Sequence, residues 1–170
     1  MKKNVSILMR LIFLTVVLAL IAPVTVNAQA GKTNFAGTWA MNAEKSTQPQ
    51  GGGGGGGGGM RMGGGNFTAT QEANLLTQSR TGQDGTVRVT KYTLDGKEST
   101  NTIGQGESKS TATWSADGKS LNVVTKMNFN GNEMTTTAVW SMPDAKTLSI
   151  VTTRQGQNGE VKTTMIYDKK

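Results

Sequence analysis

The chain has no histidine and no cysteine among its 170 residues, so any chemistry falls to carboxylates, lysines, tyrosines and hydroxyls. Ser-His-Asp triads, His-assisted thiols and His-ligated zinc or copper sites are excluded. Iron–sulfur clusters and redox dithiols go with the cysteines. A glycosidase-like pair of carboxylates is the main hydrolytic arrangement left. Of the 11 acidic residues, however, Asp84, Asp95, Asp117, Asp144 and Glu160 stand in or beside turn sequences. A carboxylate there bonds local backbone N–H groups and stays solvated. No spacing singles out a converging pair, so the sequence points away from an enzyme and calls for no cofactor and no metal.

A second stretch invites a chemical reading. Gly51 to Gly59 and Gly63 to Gly65, broken by Met60-Arg61-Met62, would suit a phosphate cradle only with a Gly-Lys-Ser/Thr ending and a helix behind it. Both are missing from the sequence. Polyglycine has too much backbone entropy for regular structure, so residues 47–65 are expected to form a disordered loop, with Met60 and Met62 as its only large apolar groups.

The elements that must position any site are strands. From Leu75 to Tyr167, alternating runs end in Tyr92, Trp114, Trp140 and Tyr167, and between them lie Asp84-Gly85, Asp95-Gly96, Asp117-Gly118, Asn130-Gly131 and Asn158-Gly159. Such pairs are strong hairpin signals because tight turns between twisted strands need positive φ. Trp114 to Val123 and Trp140 to Ile150 align with one residue inserted, as expected of a meander of like units. Ten candidate strands follow, over 35–41, 66–71, 74–81, 86–94, 98–103, 107–115, 120–128, 133–142, 147–154 and 160–168. Alternation puts Ala112, Trp114, Leu121, Val123, Met127, Met134, Ala138, Trp140, Met142, Leu148, Ile150, Val161, Met165 and Tyr167 on one buried face. Hairpin-linked strands favour an all-β, antiparallel, up-and-down barrel of about eight to ten strands, since closure removes exposed edges. A β-sandwich is the alternative.

The N-terminus reads as a secretion signal: Lys2 and Lys3, a mostly apolar stretch from Ile7 to Ile21, then Val26-Asn27-Ala28 and Ala28-Gln29-Ala30. Cleavage after residue 28 or 30 is expected, leaving 31–170 as a single barrel domain. The product would be periplasmic or secreted. With no cysteine near the cut, lipid attachment there is excluded. Removing Lys2, Lys3 and Arg10 from 18 basic residues leaves 15 against 11 acidic ones, a net charge of +4. These charges are scattered, so neither a nucleic-acid stripe nor a polybasic membrane patch emerges. No further apolar run is long enough to span a bilayer, and the strands carry no sustained lipid-facing band.

Gly37-Thr38-Trp39 on the first strand resembles the Gly-x-Trp signature of lipocalins. The wider string Phe35-x-Gly37-Thr38-Trp39-x-x-Asn42-x-x-Lys45-Ser46, with Tyr92 to Lys97 and Tyr167 to Lys170, resembles small secreted lipocalin-like proteins of Gram-negative bacteria, whose role is largely undefined. The resemblance implies a barrel with Trp39 closing one end, and a late-strand arginine over that indole, a part open to Arg154. Short threonines leave space in a barrel of this size, and methionine suits irregular apolar guests. The expected function is non-enzymatic binding of a small apolar or amphipathic ligand, with Trp39, Trp114, Met127, Trp140, Arg154 and Tyr167 as candidate lining or closing residues. The alternative is a solid barrel serving as an envelope structural or protein-interaction module.

Overall fold

The computed structural model describes residues 31–47, 65–103, 106–129, 131–156 and 159–170. The segment expected to be a secretion signal and nearly all of the glycine-rich segment, expected to be a disordered loop, lie outside them. Ten strands occur where alternation places them: β1 (Gly37–Thr47), β2 (Phe67–Glu72), β3 (Leu75–Thr81), β4 (Val87–Thr93), β5 (Glu98–Ile103), β6 (Gly106–Trp114), β7 (Ser120–Phe129), β8 (Asn132–Asp144), β9 (Thr147–Gly156) and β10 (Gly159–Lys169). Among the described residues there is no helix. The glycines of the five turn pairs, Gly85, Gly96, Gly118, Gly131 and Gly159, all have positive φ. Gly118 is further constrained: a Cβ there would stand 2.6 Å from the carbonyl oxygen of Gly31, so the lead-in segment closes over this turn only because the side chain is absent.

Every neighbouring pair is antiparallel, in the order β4-β3-β2-β1-β10-β9-β8-β7-β6-β5. A sandwich would divide this ladder into two sheets. Instead one sheet curls into a nearly closed barrel, with β1 and β10 meeting in the middle of the order through Trp39↔Lys169 and Met41↔Tyr167. The two edge strands, β4 and β5, are joined by side chains rather than by a backbone ladder. Asn101 accepts from the Lys91 N–H at 2.7 Å and donates to the Lys91 carbonyl at 2.9 Å. The Ser99 hydroxyl accepts from the Thr93 N–H at 2.8 Å. An amide and a hydroxyl thus satisfy edge groups that would otherwise attract a foreign strand.

Inward residues divide the barrel along its axis. Toward the β2–β3, β4–β5, β6–β7 and β8–β9 turns lie Phe35, Trp39, Leu76, Leu94, Leu121, Trp140, Leu148 and Tyr167, all buried. Toward the opposite end the same faces carry Gln78, Ser108, Ser110, Met127 and Thr136, also buried.

Candidate functional site

The first end is a plug of rings. Phe35 stacks on Trp114 with centroids 5.7 Å apart, Phe35 and Phe67 each meet Trp140 edge-on at 5.9 Å, and Phe67 meets Tyr167 at 4.9 Å. Such pairs add roughly 0.5–1.5 kcal/mol beyond area burial. Trp39 is fully buried and donates its indole N–H to the Phe35 carbonyl at 2.9 Å. The Gly-x-Trp motif thus places the Trp39 indole in the buried core at this end. The cation over its ring is Lys169, with Nζ 5.5 Å from the centroid, and the stem of Lys169 fills the space beside Gly37. Arg154 does not take that part. It does keep the inward phase, paired with Thr136 and Val161, but it lies near the far end of β9, exposed. Chain order decided this: β9 runs away from Trp39, whereas β10 returns to it.

The other half of the interior is semi-polar. Four strands contribute Gln78 (β3), Ser110 (β6), Thr125 (β7) and Thr136 (β8), with Met127 and Met134 facing each other across β7 and β8. Ser110 and Thr125 share a hydrogen bond of 2.9 Å. Two polar atoms here, Gln78 Nε2 and Thr136 Oγ1, are buried without any hydrogen-bond partner. An unmade bond of this kind costs about 1–3 kcal/mol, so such groups call for an explanation. Trp114 Nε1 is likewise unpartnered, but its ring is covered by Phe35 and approached by Lys32.

Two residues beyond Gln78 on the same strand lies Arg80. Inward phase follows from its pairing with Arg88 two positions beyond Gln78↔Thr90. Its guanidinium lies 4.5 Å from the Phe67 centroid and 6.0 Å from that of Tyr167, and Nη1 donates to the Gly65 carbonyl at 2.9 Å. None of the ion pairs among the described residues includes it. Its field reaches Tyr92: burial pushes that phenol up to about 12, and the Arg80 charge opposes the rise. By contrast the carboxylates of Asp84, Asp95, Asp117 and Asp144 are held below their ordinary value mainly by hydrogen bonds within their own turns. They are turn residues. Among the described residues no group of three metal-ligating side chains occurs.

Of the residues singled out from sequence, Trp39, Trp114, Trp140 and Tyr167 share the ring-packed core. Met127 and Arg154 belong to the opposite half. Gln78, Arg80 and Thr136 escape a sequence reading because polar residues in an inward phase look like the loss of a pattern. The usable signal is Leu76-x-Gln78-x-Arg80, in which alternation continues while polarity changes.

No family model matches the sequence, and no curated protein matches it. Among solved structures, zebrafish ileal bile acid-binding protein complexed with cholic acid is similar, with a TM-score of 0.48 and 17% identity over 62% of this chain and 72% of that one. Likeness at that level transfers no ligand, and the site is read from this chain's own residues.

Proposed function

We propose that this chain is an exported, non-enzymatic barrel that holds a small amphipathic molecule in the semi-polar half of its interior. One observation carries the reading: Gln78 Nε2 and Thr136 Oγ1 are buried without partners on β3 and β8, strands half the sheet order apart. A packed core would place apolar groups there, because unsatisfied polar atoms destabilise it. A guest bearing oxygen atoms would satisfy them while its apolar body meets Met127 and Met134. Export rests on the N-terminal sequence alone, and a periplasmic or extracellular setting follows from it.

Native mass spectrometry of protein purified from its own host tests this directly. The expected result is a retained small molecule, released on denaturation. Titration of stripped protein with fatty acids and isoprenoids should then show saturable binding by calorimetry, and Met127→Ala with Met134→Ala should weaken it severalfold. A protein that carries nothing and responds to no member of the panel would instead be the solid interaction module.

A further inference from the structure

Resting on that binding reading, we infer that the guest carries an anionic oxygen head group, a carboxylate or a phosphate monoester, and that Arg80 with the amide of Gln78 forms its subsite. Arg80 is part-buried, in the inward phase of its strand, lies over two rings, Phe67 and Tyr167, and is bonded to a backbone carbonyl rather than to a carboxylate. A guanidinium offers five donors in a planar fork matched to two oxygens. Two residues earlier on the same face, Gln78 is 6% exposed and its Nε2 is an unused donor. Both groups present N–H, and neither needs a further donor.

The surrounding charges agree. Inward phase at this end also holds Arg88 and Arg154. Arg88 is engaged by Asp84 at 2.9 Å; Arg154 is in none of the ion pairs among the described residues. Glu72, Glu98, Glu107, Glu133 and Glu160 alternate outward, each next to an inward residue of its strand. Glu98 and Glu133 are bonded there to Lys109 and Lys126. At this end the inward phase thus carries three arginines, only Arg88 of them neutralised by an acid, while these five glutamates point outward, which favours an anion entering from the Arg154 end and disfavours an amine.

The test uses three probes with one hydrocarbon chain: oleate, oleyl alcohol and oleylamine, plus oleyl phosphate to separate the two head groups. Wild-type protein should bind oleate or oleyl phosphate at least about tenfold more tightly than the alcohol, and the amine least, the scale of one charge-assisted hydrogen bond. In Arg80→Met, which keeps the apolar stem over Phe67, the ratio of anion to alcohol should fall to near one. Arg80→Lys, retaining charge without the fork, should give an intermediate ratio, and Gln78→Leu should lower it severalfold. Equal binding of alcohol and anions by the wild type, or a ratio that survives Arg80→Met, overturns the head-group subsite while leaving the binding barrel standing. If no probe binds at all, the binding reading itself fails.

Discussion

The two ends of the barrel use the same strands, the same alternation and the same hairpins, and differ in what the inward positions hold. At the Trp39 end Phe35, Phe67, Trp114, Trp140 and Tyr167 pack ring on ring and the Trp39 indole is bonded to backbone. At the Arg154 end the positions across β7 and β8 are threonine and methionine, and two buried polar atoms have no partner. One end is built to be stable. The other gives up hydrogen-bond satisfaction, and a strained or unsatisfied region in an otherwise consistent fold is where function is expected.

Trp39→Ala would break this contrast most severely. Removing a buried tryptophan costs about 3–5 kcal/mol out of the roughly 5–15 kcal/mol that holds a domain folded, and Trp39 is fully buried. Urea unfolding should show the protein lost or nearly lost; native-like melting would show that the plug does not hold the fold.

Alkaline unfolding sharpens the boundary between the halves. The folded protein holds the Tyr92 proton up to about 12, against an ordinary value of 10.0. Stability from this source is complete below pH 10 and is lost as the pH rises toward the folded value, because the unfolded chain releases the proton first. The difference amounts to about 2–3 kcal/mol. Tyr92→Phe should remove that part of the slope in denaturation curves recorded from pH 9 to 12, and an unchanged slope would place the phenol in water.

The seam between β4 and β5 offers a smaller effect. Asn101→Ala strands the N–H and carbonyl of Lys91, which it joins at 2.7 and 2.9 Å, and should cost about 1–3 kcal/mol. Hydrogen exchange should quicken at Lys91 and Thr93 before it does at Trp140. Uniform protection would mean that the seam is not a separate opening unit.

The smallest change carries the opposite sign. Gln78→Leu and Thr136→Val each remove a buried atom without a partner, so the melting temperature of ligand-free protein should stay level or rise, by up to about 1 kcal/mol equivalent. A loss larger than about 2 kcal/mol would show that these groups support the fold, erasing the difference between the two ends.

All ten strands were legible in sequence because their signals are local. Asp-Gly and Asn-Gly turns and period-two alternation act over a few residues, so Trp114 to Val123 could be read as a hairpin without knowing what it packs against. The place of Trp39 was legible through its motif. Lys169 over that indole, 130 positions later, was not; nor was the side-chain seam, which exists only because closure brings the edges β4 and β5 together.

Backbone pattern and inward phase were thus determined by the sequence itself, since strand pleat and turn φ depend on neighbours in the chain. Which inward residues meet was decided by tertiary structure. Arg80 gains its rings from Phe67 on β2 and Tyr167 on β10, and the unpartnered atoms of Gln78 and Thr136 become buried only when strands five places apart in the sheet curl to face each other. Burial and charge environment are properties of the closed barrel, because desolvation depends on atoms brought near in space and not on those near in sequence.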